Sequence, residues 1–87
     1  MEFEWDTKKA RGNFRKHGIS FAEAGTVFGD PLAITFDDPD HSKAEPRLLT
    51  FGTTRTGKLV IVSHTKRTGS TRIINARLMT KQERKIV

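Results

Sequence analysis

Imidazole and guanidinium groups carry most of the chemistry this chain can offer. It holds three histidines, His17, His41 and His64, with no tyrosine and no cysteine. A histidine of ordinary pKa, about 6.5, gives or takes a proton at neutral pH. An arginine presents a planar fork that matches two phosphate oxygens. Set side by side, the two groups can clasp a phosphate and move a proton next to it. Two arginines lie in Thr71-Arg72-Ile73-Ile74-Asn75-Ala76-Arg77, and Lys81, Arg84 and Lys85 follow just beyond it. A strand that delivers so many cations to one corner of a small sheet is a natural place to hold phosphate.

Each candidate also has a structural reading. His17 sits beside Lys16 and just before Gly18, at the end of a helix. It is either a proton-transfer group or a ring that caps a terminal carbonyl or packs under Trp5. His64 shares strand parity with Val60 and Val62, so a packed or edge ring competes with catalysis. His41 lies among Asp37, Asp38 and Asp40, but a hard-cation loop needs more ligands at fixed spacing. Asx turns explain that loop better, and neither a metal nor a cofactor is expected. Arg72 and Arg77 are five residues apart, which puts them on opposite faces of a regular strand. They share a site only if the strand bulges or Arg77 lies past its end. The second is expected, because Leu78 and Met79 lead into a capped helix. Arg47 and Arg67 enter from a neighbouring strand and turn. For every arginine the alternative is a surface cation whose stem lies on the sheet.

The elements that must position these groups follow from patterning. Phe3 and Trp5 alternate with Glu2 and Glu4 as a short strand, and Trp5 reads as core. Asp6 caps a helix over residues 7–17 that Gly18 stops in the left-handed conformation. On it Ala10, Phe14 and His17 recur as a core-facing stripe. Ser20 and Glu23 form a capping box that opens a second helix over 21–28, ended by Gly29-Asp30-Pro31. Leu32 to Phe36 is a strand. Arg47 to Thr53, Lys58 to Thr65 and Thr71 to Arg77 are three more, joined by short Gly-containing turns into an antiparallel meander. Thr80 and Glu83 then form another capping box.

The expected fold is therefore α+β, a single domain over 1–87 in β-α-α-β-β-β-β-α order, with an antiparallel sheet and helices on one face. Leu59-Val60-Ile61-Val62 is apolar on both parities, so that strand is central and covered on both sides. The second cover could come from a partner protein.

At 87 residues the chain buries only about 60–65% of its unfolded surface. Hydrophobic residues make up 34% and charged ones 30%, too apolar for disorder and without a run long enough to span a membrane. The absence of cysteine excludes disulfides and thiolate zinc sites, and the acidic amino terminus has no apolar signal core. A cytoplasmic location is expected. Sixteen Lys and Arg against ten Asp and Glu give a net charge of +6, which draws polyanions: RNA, DNA or an acidic protein.

Several stretches also carry a likeness. Phe3-Glu4-Trp5-Asp6, Asn13 to Phe21 with its Lys16-His17-Gly18, and Phe28-Gly29-Asp30-Pro31-Leu32 are three of them. Asp40-His41-Ser42, Arg47, Gly52, Arg72-Ile73-Ile74-Asn75-Ala76-Arg77, Thr80 and Glu83-Arg84 continue it. Together they resemble the BrnT toxins almost end to end. The resemblance implies a RelE-like ribonuclease fold and growth arrest by RNA cleavage. It also implies neutralisation by a BrnA-like, DNA-binding antitoxin, the pair repressing its own operon, with operator DNA met only through the antitoxin. Departures are Asn75 where serine is usual, Pro46 where an acidic residue is common, and Met79 for a small residue.

Metal-independent cleavage would then use His17, Arg72, Arg77, His64 and Arg47 as catalytic groups, with Lys16, Arg67, Lys81 and Arg84 binding RNA phosphates. One imidazole takes the 2′-hydroxyl proton, and cations hold the dianionic phosphorane. Two other readings stand beside this one: a non-catalytic module that binds RNA or an acidic partner, and a structural partner that orients the antitoxin.

Overall fold

Asp6 and Gly18 bracket the first helix as their residue types predict. The structure, a computed structural model, describes residues 1–41 and 45–85; Ser42 and the side chain of His41 lie outside the described residues. Strand β1 (Phe3–Glu4) leads into α1 (Thr7–His17). The Asp6 carboxylate accepts from Lys9 N at 2.9 Å, and Gly18 closes the helix with φ 72°. That N–H holds the Asp6 carboxyl below its usual pKa. Helix α2 (Phe21–Gly25) follows and tightens into a 3₁₀ turn over Thr26–Gly29.

Ser20 caps α2 by accepting from Glu23 N at 3.0 Å. The expected reciprocal bond is absent because the Glu23 carboxylate turns elsewhere. It accepts from Thr54 and Thr56 and lies 3.5 Å from Lys58 Nζ. One acid thus ties α2 to the turn between two later strands, and the Thr56 hydroxyl chiefly holds its carboxyl below the usual range.

Among the described residues β2 (Ile34–Asp37), β3 (Leu48–Thr53), β4 (Leu59–Arg67) and β5 (Ser70–Leu78) join β1 in one sheet, ordered β1-β5-β4-β3-β2. The meander is antiparallel as expected, but β1 pairs parallel to β5, with Glu4 opposite Arg72, so the sheet is mixed. A chain that enters through α1 and α2 returns to the far edge of the sheet, which fixes that direction.

Strand β4 is central. Val60 and Val62 point into a core with Ile19, Phe21, Ala24, Val27, Ile73 and Ala76. Ile61 points the other way, against Phe51 and Met79. On that side Met79 and Phe51 of the chain itself cover Ile61. Gly52 sits where the β2 approach crosses β3: a Cβ there would meet Ala33 Cβ at 3.0 Å.

Two further expectations are corrected. The box at Thr80 forms in full, with Thr80 N donating to Glu83 at 2.8 Å and Glu83 N to Thr80 Oγ at 3.2 Å. Only a 3₁₀ turn follows it, Glu83–Lys85. Phe14 is 57% exposed, while the buried residue of α1 is the polar Asn13. No helix among the described residues is long and apolar enough to cross a membrane.

Candidate functional site

Asn13 explains why α1 lies where it does. Strand β1 pairs with β5 only as far as Arg72, which leaves the edge of β5 bare beyond that point. The Asn13 amide fills the gap as a strand would. Its Nδ2 donates to Ala76 O at 2.9 Å, and its Oδ1 accepts from Ala76 N at 3.1 Å. Nδ2 also donates to Ile19 O at 3.1 Å, so the buried amide is satisfied on both ends.

Pinned this way, α1 forms one wall of a cleft of about 700 Å³. Lys9, Lys16 and His17 line it from the helix. Ser63, Asn75 and Arg77 form the floor from β4 and β5, and Arg47, Asp38 and Asp40 close the far side. Four cations and one imidazole thus face a single depression. A somewhat larger hollow of about 770 Å³ between α2 and the β3–β4 turn is lined by Met1, Phe3 and Phe28 and holds no histidine. The first has the charge for a phosphate chain; the second does not.

Arg77 reaches the cleft from within β5, opposite Ile61, and not from beyond its end. The strand does bulge. Asn75 pairs with Ser63 and Ile73 with His64, so Ile74 is an extra residue. The slip puts Arg72 (opposite Thr65) on the same face as Arg77 in spite of their odd separation. They still do not meet. Arg77 is held by Glu83, with Nη1–Oε1 2.7 Å and Nη2–Oε2 2.8 Å. This paired fork chiefly brings the Glu83 carboxyl down to about 2 and raises the Arg77 guanidinium.

The remaining expected site residues lie elsewhere. Arg72 and Arg67 converge on Glu4, at 3.9 and 3.6 Å, and Arg67 also donates to Glu45 at 3.2 Å. Lys81 and Arg84 are exposed and do not line the cleft. His64 is on the helix-covered face, buried, edge-on to Phe28 at 4.8 Å, with Nε2 2.7 Å from Thr50 Oγ1. Burial, with Lys66 adding a little, lowers its pKa to about 4. The cleft therefore gathers His17, Arg47, Arg77 and Lys16 and leaves out His64, Arg72, Arg67, Lys81 and Arg84. Asn13 and Glu83 escaped sequence reasoning as site residues, since one reads as a polar helix position and the other as a cap. A polar residue at the buried helix position, where an apolar one belongs, was the available signal for Asn13. Among the described residues no three His, Cys, Asp or Glu side chains converge to hold a metal ion.

Residues 5–83 match the family described as the ribonuclease toxin, BrnT, of type II toxin-antitoxin systems. The chain belongs to that family. It is similar in fold to the Brucella abortus ribonuclease toxin, BrnT, known from a 1.1 Å crystal structure. The TM-score is 0.73 at 24% identity, over 93% of this chain and 99% of that one. No curated protein matches the chain. Of the stretches that carry the likeness, those around Asn13, His17, Asp40, Arg47 and Arg77 each bring a residue to the cleft.

Proposed function

We propose that this chain is an endoribonuclease toxin that cleaves cellular RNA in the α1–β5 cleft and arrests growth, and that a BrnA-like antitoxin neutralises it in the cytoplasm. The observation that supports the reading is the meeting of His17 with Arg47, Arg77 and Lys16 in one cleft. His17 takes the proton from a ribose 2′-hydroxyl. The freed oxygen attacks the adjacent phosphorus, a 2′,3′-cyclic phosphate forms, and the 5′-oxygen leaves with a proton from water that the open cleft admits. Arg47, Arg77 and Lys16 hold the phosphorane charge without a metal, and membership of a ribonuclease toxin family agrees with that assignment.

The test is RNA cleavage in excess EDTA by the purified protein, its His17→Ala variant and its Arg77→Ala variant. Cleavage that survives the chelator and falls about a hundredfold in each variant is expected. Intact RNA with folded wild-type protein would remove the nuclease reading. The Arg77–Glu83 pair favours one alternative, a module that binds RNA without cutting, because it already occupies the fork. RNA retention that weakens steeply with salt, without new RNA ends, would identify that case.

A further inference from the structure

Helix α1 has a second working face. Opposite the cleft, a groove of about 580 Å³ runs between α1 and α2, floored by Ala10 and Phe21 and flanked by Trp5 and Phe14. Arg11 and Arg15 stand on its rim. Three features of this groove have no use in the cleft. Phe14 is 57% exposed on a helix whose other apolar residue packs inward. The helix carries no acid, and apart from Lys9 and Lys16, which face the cleft, it sets Arg11 and Arg15 on the groove side. Arg11 and Arg15, four apart, repel each other, and among the described residues no ion pair involves either. By contrast Arg67, Arg72 and Arg77 are each paired with an acid.

We infer that this groove is the docking site for an acidic amphipathic segment of a protein partner, which seats a large apolar side chain between Trp5 and Phe14 and sets carboxylates on Arg11 and Arg15. The proposal rests on the partner reading given under Proposed function and adds where and by what chemistry the partner binds. Charge complementarity selects the occupant: the rim supplies only positive charge, so a second copy of this chain would meet its own cations. A nucleic acid strand would satisfy the rim and stack on the aromatic walls, but the floor would read none of its base edges. The Ser20 hydroxyl is engaged in capping α2, and Ala10 and Phe21 have no side-chain donor to read a base edge. An apolar anchor ringed by acids fits both. Lys9, Asn13, Lys16 and His17 face the cleft from the other side of α1, so groove and cleft are separate surfaces.

Trp5 is the only tryptophan of the chain, so its emission reports this groove alone. The probe is a synthetic helical peptide of about 15 residues with Leu at the i, i+3, i+4, i+7 positions and Glu at most others. A scramble of the same composition and an oligouridylate are the comparisons. The peptide is expected to give a saturable blue shift that weakens with salt. Its affinity should fall about tenfold or more in the Arg11→Glu/Arg15→Glu double variant and in Phe14→Ser, both folded by circular dichroism. No saturable shift overturns the proposal, as does an equal response to the scramble or no loss in either variant. A shift by oligouridylate as strong as the peptide's would assign the groove to nucleic acid instead and overturn it too. The same samples are assayed for RNA cleavage, which separates the two readings. Peptide binding without cleavage sinks the nuclease and leaves the groove; cleavage without peptide binding does the reverse.

Discussion

Arg77 and Glu83 meet fork to fork, with both nitrogen–oxygen distances under 3 Å, and the same carboxylate accepts from Thr80 N. One side chain therefore both aims a cation at the cleft and closes the turn that follows β5. The pair lies partly in solvent, with Arg77 39% and Glu83 23% exposed, so its net worth is about 1 kcal/mol.

Replacing Glu83 by Gln keeps the cap and removes the charge. The folded carboxyl titrates near 2, below its ordinary 4.5, so the stabilisation is present above about pH 4.5 and lost as pH falls toward 2. Denaturant unfolding should show Glu83→Gln about 1 kcal/mol less stable near neutrality. The gap to wild type should narrow below about pH 4.5 and close only near pH 2. An unchanged gap at low pH would show that the pair does not contribute as described.

Asn13→Ala should cost about 2–4 kcal/mol, because Ala76 N, Ala76 O and Ile19 O each lose a partner in a dry site. Asn13→Asp should be no better. It keeps an acceptor for Ala76 N but faces two carbonyl oxygens without a donor. Unfolding midpoints in urea measure the cost. Cleavage measured well below the midpoint should also fall, since α1 carries His17.

His64 gives a different pH signature. Its folded pKa, near 4, lies below the ordinary 6.5, so the unfolded chain takes up the proton first. The stability it permits is full above about pH 6.5 and is lost as pH drops toward 4, by about 2 kcal/mol between roughly pH 7 and pH 5. His64→Gln should flatten that slope. A native-state NMR titration placing the ring near 6.5 would contradict the burial argument.

The arginines should separate by place rather than by type. Arg47→Ala is expected to reduce cleavage about a hundredfold, as Arg77→Ala does, whereas Arg67→Ala and Arg72→Ala should change it less than about threefold at fixed salt. Rate constants under single-turnover conditions make the comparison. A large loss at Arg72 would mean that RNA runs along β5 as far as Glu4.

Local rules were enough for much of this protein. Asp6, Gly18 and Ser20 fix their helix ends through bonds to residues three or four away, and the glycine turns set the meander, so these could be read from spacing. The unbroken apolar run from Leu59 to Val62 likewise placed β4 at the centre. The family likeness was legible in short stretches that run nearly end to end.

Only the tertiary structure decided which of the many cations share a surface. Strand parity carries a residue's face only while the pairing is regular. The single extra residue at Ile74 reverses it between Arg72 and Arg77, and no spacing rule announces that. The buried Asn13 satisfies backbone 63 residues away, and Glu23 leaves its own cap for a turn some 30 residues on. Such bonds depend on which polar groups the fold leaves bare, and that is known only once the strands have paired.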